Sequence, residues 1–458
     1  MSAILLVAIP LLVAFLSILV KKYAPYLLII VGLFNLVMLF LLQDGGVIIG
    51  GFDQPLGINL LLNLYSRIAL ILINALIVVI ACLNIKDYGK YGSILLLAMA
   101  GLNGLVLTVD LFNFFVFLEI SGIAAYLITS SNKKPTNTFH YLALGAVGSS
   151  LFLFGVIILY AMYGTLNYGA MIEAIAANNN YAEVVLPFTL MFIGLGVEAK
   201  LLPFNSWVKG ALGHSNTMSG PMIASVYAAA LSFVLGRMID NLFLFQGTLL
   251  TIVTVLLTVG ILLGDFMAFS STKTREILLF SSVAQASIVA LLFVNGVVAW
   301  AVWLIIANAL SKTVMFLVIN KATKEVGCDE TKSLQGLFTK NILVGLAFTL
   351  ATLSVMGLPL LVGFMIKLNF LTALAGAGQI WLIVAILIAS LVEGIYFVRL
   401  LVKLWYKGEN EISVKYNLSF KVVFVVIALA LLAFGSYTAP MNQIDNSVDA
   451  VTEVVNNG

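Results

Sequence analysis

The chain has 458 residues, of which 62% are hydrophobic and only 9% charged, and its formal net charge is +3. Soluble proteins carry about 25% charged residues, so this composition excludes a soluble globular protein and indicates an integral membrane protein. The two cysteines, Cys82 and Cys328, are too few for an iron–sulfur cluster and too far apart for a zinc motif. Because the sequence also lacks a dinucleotide-binding fingerprint and a Walker motif, we expect no cofactor in this chain.

Apolar runs of about 20 residues predict membrane-spanning helices, and we count fourteen such runs. The first, within residues 1–20, has no early positive charge or cleavage site, so we expect a span rather than a removed signal segment. The predicted fold class is therefore an all-α integral membrane protein. The predicted spans are residues 3–20, 25–43, 59–83, 92–109, 111–129, 139–162, 185–203, 219–238, 244–269, 276–295, 298–320, 340–376, 379–405 and 420–438.

Two of the predicted spans contain helix-breaking residues. The seventh span runs into Pro203, and the long twelfth span is interrupted between Gly357 and Pro359. Proline removes a backbone donor and kinks or ends a helix, which a membrane tolerates only where protein or water satisfies the freed backbone groups. We therefore expect interrupted helices at both places. Between spans, Asp44–Leu60 is predicted to form a short external hairpin and Asn167–Asn178 a short surface helix.

The basic residues of the predicted loops fall almost entirely in alternate connections. The opposite set of connections contains a single basic residue, Arg237, together with most of the loop acids. By the positive-inside rule, the basic loops face the cytoplasm and both chain termini face outside. The basic loops contain Lys21, Lys22, Lys86, Lys90, Lys133, Lys134, Lys209, Lys273, Arg275, Lys321, Lys324, Lys332, Lys340, Arg399, Lys403, Lys407, Lys415 and Lys421.

The order of the spans indicates internal symmetry. Spans four to eight and spans nine to thirteen each have an interrupted, charged helix as their fourth member. Because each unit has an odd number of helices, the two units would be inverted relative to each other, which is typical of transporters. We therefore predict three N-terminal helices in residues 1–91, repeats in residues 92–240 and 241–406, and a last helix with a short external tail in residues 407–458.

Ionisable residues inside the spans are the candidate functional groups, since each costs about 2.5–3.5 kcal/mol to insert. Buried acids and bases can pair to fix helix packing, or they can relay protons or ions. A desolvated lysine gives up its proton more easily, and a nearby carboxylate opposes that loss. Moving the carboxylate would therefore switch the lysine between charged and neutral forms. The buried candidates are Glu119, Glu198, Lys200, Asp265, Lys312, Lys367, Glu393 and Arg67, with Asp110 at a span boundary.

Several segments resemble the antiporter-like subunits of respiratory complex I, and one is nearer still to the corresponding subunit of Mrp-type sodium/proton antiporters. That segment, "DLFNFFVFLEISGIAAY" at Asp110–Tyr126, resembles the fifth-helix signature of the family. The family includes subunits of membrane-bound hydrogenases and sulfur-reducing complexes. The other matching segments are "GTLN" at 164–167, "GVEAKLLPFNSW" at 196–207, "REILLFSSVAQ" at 275–285, "NALSKTVMFL" at 308–317 and "GLPLLVGFMIK" at 357–367.

The resemblance implies roles for individual residues. Glu119 and Lys200 would form a pair, Lys312 would be the central lysine, and Lys367 would be the terminal lysine near the exit. It also implies protons or sodium ions as cargo, other membrane subunits as partners, iron–sulfur clusters in those partners if redox chemistry drives transport, and no nucleic acid. The location would be the plasma membrane of a prokaryote, and the chain would have no active site of its own. Further candidate relay residues are Glu198, Asp265, Glu393, Asp110, His214 and Asn308.

The sequence also departs from the family pattern. The family usually places a lysine or histidine in helix eight, but none occurs between Pro221 and Gly236, and Asn308 stands where a histidine is common. Water would have to bridge Lys200 and Lys312. Three functions therefore stay open: a subunit of a redox-driven pump, which we favour, a subunit of an Mrp-type antiporter without redox chemistry, and a scaffold with a degenerate proton path.

Overall fold

The computed structural model describes residues 2–50, 57–178, 181–243, 245–408 and 414–436, and this part of the chain forms seventeen helices and one β-hairpin. The strands are β1 (Gly45–Ile49) and β2 (Ile58–Leu62). The helices are α1 (Leu5–Leu19), α2 (Ala24–Leu41), α3 (Leu64–Tyr88), α4 (Gly92–Leu107), α5 (Leu111–Ser130), α6 (Pro135–Tyr163), α7 (Tyr168–Asn178), α8 (Tyr181–Glu198), α9 (Ser206–Gly213), α10 (Ser219–Asn241), α11 (Gly247–Ser270), α12 (Thr274–Val294), α13 (Val298–Val326), α14 (Ile342–Met356), α15 (Val362–Gly376), α16 (Ile380–Trp405) and α17 (Leu418–Ser436).

The helices account for all fourteen predicted spans. Twelve are long and apolar enough to cross a membrane, and α1, α14 and α15 are shorter apolar helices. Helices α14 and α15 follow each other across a break at residues 357–361 and together form one interrupted span, as α8 and α9 do across residues 199–205. The all-α membrane fold with interrupted spans seven and twelve is confirmed. The repeat boundaries at residues 92–240 and 241–406 stay a prediction, and the external tail lies outside the described residues.

The segment between α2 and α3 folds as the predicted hairpin. Strands β1 and β2 pair antiparallel, with Gly45 opposite Leu62 and Ile49 opposite Ile58. The connection at residues 51–56 lies outside the described residues. The short helix predicted near Asn167 is also present, as α7.

Loops that the charge pattern assigns to one side of the membrane meet in the structure. On the side poor in basic residues, the backbone of Asp110 pairs with Asn167 across two loops. On the basic side, the backbone of Lys273 pairs with the backbone of Glu330. The Lys209 ammonium lies 3.4 Å from the Glu276 carboxylate. These contacts agree with the alternation of loops that the sequence predicts.

Two arginines on the side poor in basic residues hold the carboxyl ends of helices. Arg237, in α10, is 3% exposed and donates to the carbonyl oxygens of Val106 and Thr108, each at 2.7 Å. Arg67, in α3, is partly buried and donates to the carbonyl oxygen of Leu42 at 2.9 Å, to that of Leu39, and to the Asp44 carboxylate. The last carbonyl groups of a helix have no partner within it, so each guanidinium satisfies acceptors that lipid could not.

We expect Arg237→Ala to destabilise the protein by about 3 kcal/mol or more, because a buried bond to a charged donor contributes about 1.5–3 kcal/mol. The change leaves the carbonyl groups at the end of α4 without donors. The thermal unfolding midpoint in detergent measures the loss. Arg399→Ala is the matched control, since Arg399 also donates to a carbonyl, that of Phe269 at 2.7 Å, but is only partly buried. Equal effects of the two substitutions would contradict this role of Arg237.

The loop between α13 and α14 contains a carboxyl group with an unusual environment. Asp329 Oδ1 accepts a hydrogen bond from the backbone N–H of Arg275 at 3.3 Å, whereas Oδ2 is buried without a partner in the described part of the chain. Burial raises the pKa of Asp329 to about 6, although the charge of Arg275 opposes the shift. The raised pKa stabilises the fold at low pH, and this contribution is lost as the pH rises through about 6.

The melting temperature of the Asp329→Asn variant, relative to that of the unchanged protein, should therefore rise between about pH 4 and pH 7. The variant keeps a neutral acceptor toward Arg275 at every pH. Melting curves across this pH range measure the difference. A difference that does not change with pH would show that burial of the carboxylate has no energetic cost here.

The helices are buried to very different extents, and the most buried helix indicates where the candidate site lies. In α12, 94% of an 18-residue apolar stretch is buried, compared with 28% in α17. A helix that is enclosed by protein can carry polar side chains without exposing them to lipid. Helix α12 carries Ser281, Ser282 and Gln285, and these three residues contact buried charges of neighbouring spans.

Candidate ion-translocation site

Lys200 lies in the break of the seventh span, not on a regular helix. Helix α8 ends at Glu198, and Lys200 has a backbone φ of +64°, a left-handed conformation that is uncommon for residues other than glycine. Its side chain is 2% exposed, and its ammonium donates to the Ser282 hydroxyl at 2.9 Å. At Lys200 the backbone therefore turns into the left-handed conformation, and the ammonium group of the same residue is bound to α12.

Lys312 reaches the same helix from α13. Its ammonium donates to the Ser281 hydroxyl at 2.8 Å and to the Leu278 carbonyl at 3.3 Å, and the side chain is 1% exposed. The ammonium also lies 5.6 Å from the centre of the Phe397 ring, a distance at which a cation is attracted to the ring face. Lys200 and Lys312 are therefore bound to adjacent serines of one helix.

A cavity of about 30 Å³ is lined by both lysines. A water molecule needs about 10–15 Å³ of such space, so the cavity can hold about two. The Ser225 hydroxyl, which lines the cavity, is buried and has no partner within the described protein, and buried hydroxyl groups of this kind are usually bound to water. The other polar side chains at the cavity are Ser232, Ser282, Gln285 and Asn308.

Helix α10 faces this cavity with hydroxyl groups where the family usually has a lysine or histidine. Residues Met222–Tyr227 form a π-helical turn inside α10, and Ser225 lies within it. Turns of this type widen a helix locally and occur often at functional sites. The eighth span, which has no lysine or histidine between Pro221 and Gly236, therefore borders a small polar cavity through Ser225 and Ser232.

A second group of buried charges lies where α15 and α16 meet. The Lys367 ammonium is 2.6 Å from the Glu393 carboxylate and donates to the Met356 carbonyl, at the end of α14, at 3.0 Å. Glu393 is 1% exposed and also accepts from the Gln285 amide at 2.8 Å. The Gln285 carbonyl oxygen accepts from Asn308 at 3.3 Å. Gln285 therefore connects the cavity of the two lysines to the Lys367–Glu393 ion pair.

The backbone at the break of the twelfth span lies close to the Lys367 side chain. Gly357 has φ +82°, and a Cβ atom there would lie 2.8 Å from Cδ of Lys367. Both the conformation and the close approach require glycine. The break also contains Pro359, as predicted, whereas Pro203 lies near the end of the break in the seventh span.

Asp265 lies close to this group of charges but contacts a different partner. Its side chain is 2% exposed, and Oδ1 accepts from the Tyr396 hydroxyl at 2.9 Å. Tyr396 is three residues from Glu393 on α16. The structure therefore brings Asp265, Glu393 and Lys367 into one region.

Neither Glu119 nor Glu198 pairs with Lys200. Glu198 accepts from the hydroxyl groups of Tyr126 at 3.0 Å and Tyr141 at 3.4 Å. Glu119 is partly buried, and among the described residues it forms no ion pair or hydrogen bond. The expected Glu119–Lys200 ion pair is thus not formed, because the unwound backbone after Glu198 directs the lysine to α12.

The remaining candidates have structural contacts. The Asp110 carboxylate accepts from the Asn113 backbone N–H at 2.7 Å and caps the start of α5. His214 is exposed, and its Nδ1 lies 3.2 Å from the Asn137 amide nitrogen. Asp110 therefore stabilises a helix start, and His214 lies among basic residues of the loops, near Lys134, Lys273 and Arg275.

Sequence reasoning missed the hydrogen-bond partners of the buried charges. These partners are Ser281, Ser282, Gln285, Tyr396, Tyr126 and Tyr141. Three of them lie in the segment "REILLFSSVAQ", whose resemblance to the family does not by itself assign them a role. Polar residues inside an apolar span were the available signal.

A family profile described as NADH:quinone oxidoreductase/Mrp antiporter, TM, matches residues 108–392. The chain belongs to this family. It is 31% identical over 332 residues to NADH-quinone oxidoreductase subunit N of Desulforudis audaxviator (strain MP104C), covering 70% of this chain and 66% of that protein. It is 28% identical over 462 residues to NAD(P)H-quinone oxidoreductase subunit 2 of Rippkaea orientalis (strain PCC 8801 / RF-1), covering 94% of this chain and 88% of that protein.

Solved structures agree with this assignment. A chain of the membrane-bound sulfane sulfur reductase, an archaeal respiratory membrane complex, is 27% identical with a TM-score of 0.89 over 99% of this chain and 97% of that chain. A chain of the Mrp complex from Dietzia sp. DQ12-45-1b is 19% identical, with a TM-score of 0.90 over 98% and 96%. A chain of Thermus thermophilus respiratory complex I is 22% identical, with a TM-score of 0.81 over 95% and 97%. The last two show the fold alone. The protein is a multi-pass, antiporter-type membrane subunit of the complex I kind.

Proposed function

We propose that this subunit translocates ions, with protons as the favoured cargo, through its buried charges in a redox-driven multisubunit pump. One observation supports this most strongly: hydrogen bonds and a small polar cavity connect Lys200, Lys312, Gln285, Glu393 and Lys367. A set of charges kept only for packing would need no cavity between two lysines. Chains of ionisable groups inside membranes commonly mark proton relays.

The contacts suggest an order of transfer. A proton on Lys200 would reach Lys312 through water in the serine-lined cavity. Lys312 would pass it toward the Glu393–Lys367 pair through water beside Gln285 and Asn308, which line the same cavity. Gln285 cannot carry a proton itself, so its role is to orient the Glu393 carboxylate. Each lysine must then become neutral in part of the cycle.

Glu119, Glu198 and Asp265 are proposed to act beside this path. Glu198 is held by two tyrosine hydroxyl groups next to the break that contains Lys200. A change in the break would move the carboxylate and the lysine together. Asp265 would exchange protons with the Glu393 region through Tyr396. Opening and closing of the two helix breaks would control access.

The proposal includes other membrane subunits as partners and iron–sulfur clusters in those partners. Its support is the similarity to quinone oxidoreductase subunits and to a sulfane sulfur reductase chain at 27% identity. We also propose the plasma membrane of a prokaryote as its location, with both termini outside. The antiporter and scaffold hypotheses predict a different composition or a different transport activity of the complex.

The deciding experiment is the composition and ion transport of the gently solubilised native complex. Mass spectrometry and metal analysis should find iron-rich partner subunits. After reconstitution, electron transfer should acidify the vesicle lumen without added sodium, and an uncoupler should abolish the gradient. Small membrane partners without iron would favour the antiporter, and electron transfer without any ion gradient would favour the scaffold.

A further inference from the structure

A cavity on the basic face is lined by none of the proposed relay residues. It has a volume of about 250 Å³ and lies between the end of α11, the start of α12, the last turns of α16 and the loop between α13 and α14. Three basic side chains line it, namely Lys332, Arg399 and Lys403, against one acid, Glu330. The lining therefore carries an excess of positive charge at the ends of membrane helices.

No carboxylate in the described part of the chain pairs with these three cations. Lys332 and Lys403 form no side-chain hydrogen bond or ion pair there. Arg399 is held through Nη2 alone, which donates to the carbonyl oxygens of Phe269 at 2.7 Å and Ser271 at 3.4 Å. Its Nη1 and Nε groups bind no acceptor among the described residues, and a free guanidinium edge of this kind binds a phosphate through two parallel hydrogen bonds.

Hydrogen bonds hold the walls of the cavity in place. In the loop next to Lys332, Thr331 donates to the Thr272 carbonyl oxygen from its backbone N–H at 3.1 Å and from its hydroxyl at 2.7 Å. On the other wall, the Arg399 guanidinium lies 5.2 Å from the centre of the Phe269 ring as well as donating to its carbonyl. An anion therefore meets walls that are already ordered, which lowers the cost of binding.

The cavity adjoins the lipid-facing surface of α11 and α16. Ile395 lies four residues before Arg399, and Phe266 lies four residues before Ser270, so each is on the same helix face one turn deeper in the membrane. Both side chains are apolar and exposed. Positive charge at the helix ends beside an exposed apolar surface matches the headgroup and acyl chains of a phospholipid, whereas a free phosphate ion would use only the charged part.

We propose that this cavity binds the phosphate of an anionic phospholipid from the adjacent membrane. Arg399 binds two phosphate oxygens through Nη1 and Nε, and Lys332 and Lys403 complete the charge balance. The acyl chains lie along α11 and α16. Glu330, the one carboxylate of the lining, accepts from a headgroup hydroxyl such as those of phosphatidylglycerol. Basic pockets between the ends of membrane helices bind headgroups of this kind.

A cysteine introduced in the cavity tests the proposal. Thr272→Cys is suitable, because Thr272 is exposed and lines the cavity. The native complex is reconstituted into nanodiscs of phosphatidylcholine alone or of phosphatidylcholine and phosphatidylglycerol in equal parts. Alkylation by the uncharged N-ethylmaleimide is followed by peptide mass spectrometry, which distinguishes the new thiol from Cys82 and Cys328. Phosphatidylglycerol should slow the reaction by about tenfold or more.

Two further cysteine variants separate binding in the cavity from the general effect of a negatively charged membrane on thiols. Ser270→Cys, at a second exposed position of the lining, should be protected like Thr272→Cys. Ser130→Cys, at an exposed position at the end of α5 and outside the lining, should be slowed far less. Equal slowing of all three thiols would overturn the proposal.

The charged side chains are tested in the Thr272→Cys background. Lys332→Gln combined with Lys403→Gln should raise the phosphatidylglycerol fraction needed for half-protection by about 30-fold, or remove protection. Lys21→Gln combined with Lys22→Gln, outside the cavity, should leave protection unchanged. Protection that ignores Lys332 and Lys403 would contradict the assignment. Protection by millimolar inorganic phosphate in phosphatidylcholine discs would assign the site to free phosphate and overturn the lipid as its source.

Discussion

A complex that carries Lys312→Met should assemble but lose ion transport through this subunit by about 100-fold, a common effect of removing a proton-transfer group. Lys312 is 1% exposed and its ammonium is bound to α12, so the substitution removes a buried ionisable group from the proposed path. Methionine keeps the length and apolar stem of the side chain. The measurement is the number of ions translocated per electron transferred by the reconstituted complex.

If Lys200 and Lys312 act one after the other on a single path, removing either lysine should have the same effect as removing both. Lys200→Met should lower the ratio of ions to electrons to the same level, and the double variant should lower it no further. Lys340→Met, at an exposed lysine of the loop before α14, is the control and should pump normally. Losses that add in the double variant would show that the two lysines belong to separate paths.

The substitution Glu393→Gln should destabilise the protein by about 3–5 kcal/mol, because removing one partner of a buried ion pair leaves an uncompensated charge. Glu393 is 1% exposed, and its carboxylate lies 2.6 Å from the Lys367 ammonium. Glutamine can still bond to Gln285 but cannot balance the charge of Lys367. The thermal unfolding midpoint of the detergent-solubilised protein measures this loss.

A double-mutant cycle separates the ion pair from packing. The combination of Glu393→Gln and Lys367→Met should cost less than the sum of the two single changes, by about 2–3 kcal/mol. Glu173→Gln, at an exposed acid of α7, should change stability by less than about 0.5 kcal/mol. Additive effects of the two buried changes would mean that Glu393 and Lys367 do not stabilise each other. The double variant should regain stability without regaining transport.

The architecture could be predicted because it depends on patterns along the chain. The length of each apolar run predicts a membrane span, and the alternation of basic loops predicts the orientation of the spans in the membrane. Prolines located the two interruptions to within a few residues. Helix α8 nevertheless ends at Glu198, five residues before Pro203, because the backbone at Lys200 turns into the left-handed region. Local sequence does not encode this turn.

The partners of the buried charges could not be predicted, because they depend on how helices rotate against one another. The spacing of residues in the seventh span does not show that Lys200 contacts Ser282, or that Glu198 contacts two tyrosines. The same limit applies to Arg67, whose acid partner could not be chosen from sequence and is Asp44 in the structure. The positions of the charged residues could be read from the sequence, whereas their contacts depend on how the helices pack.

In the proposed mechanism, water in the serine-lined cavity carries protons between Lys200 and Lys312. A pair of substitutions at Ser225 tests it most directly. Ser225→Val fills part of the cavity with methyl groups, whereas Ser225→Ala leaves the space open to water. With assembly confirmed for both, the measurement is protons translocated per electron in the reconstituted complex. We expect a strong loss of transport for the valine variant and near-normal transport for the alanine variant. Normal transport by the valine variant would contradict it.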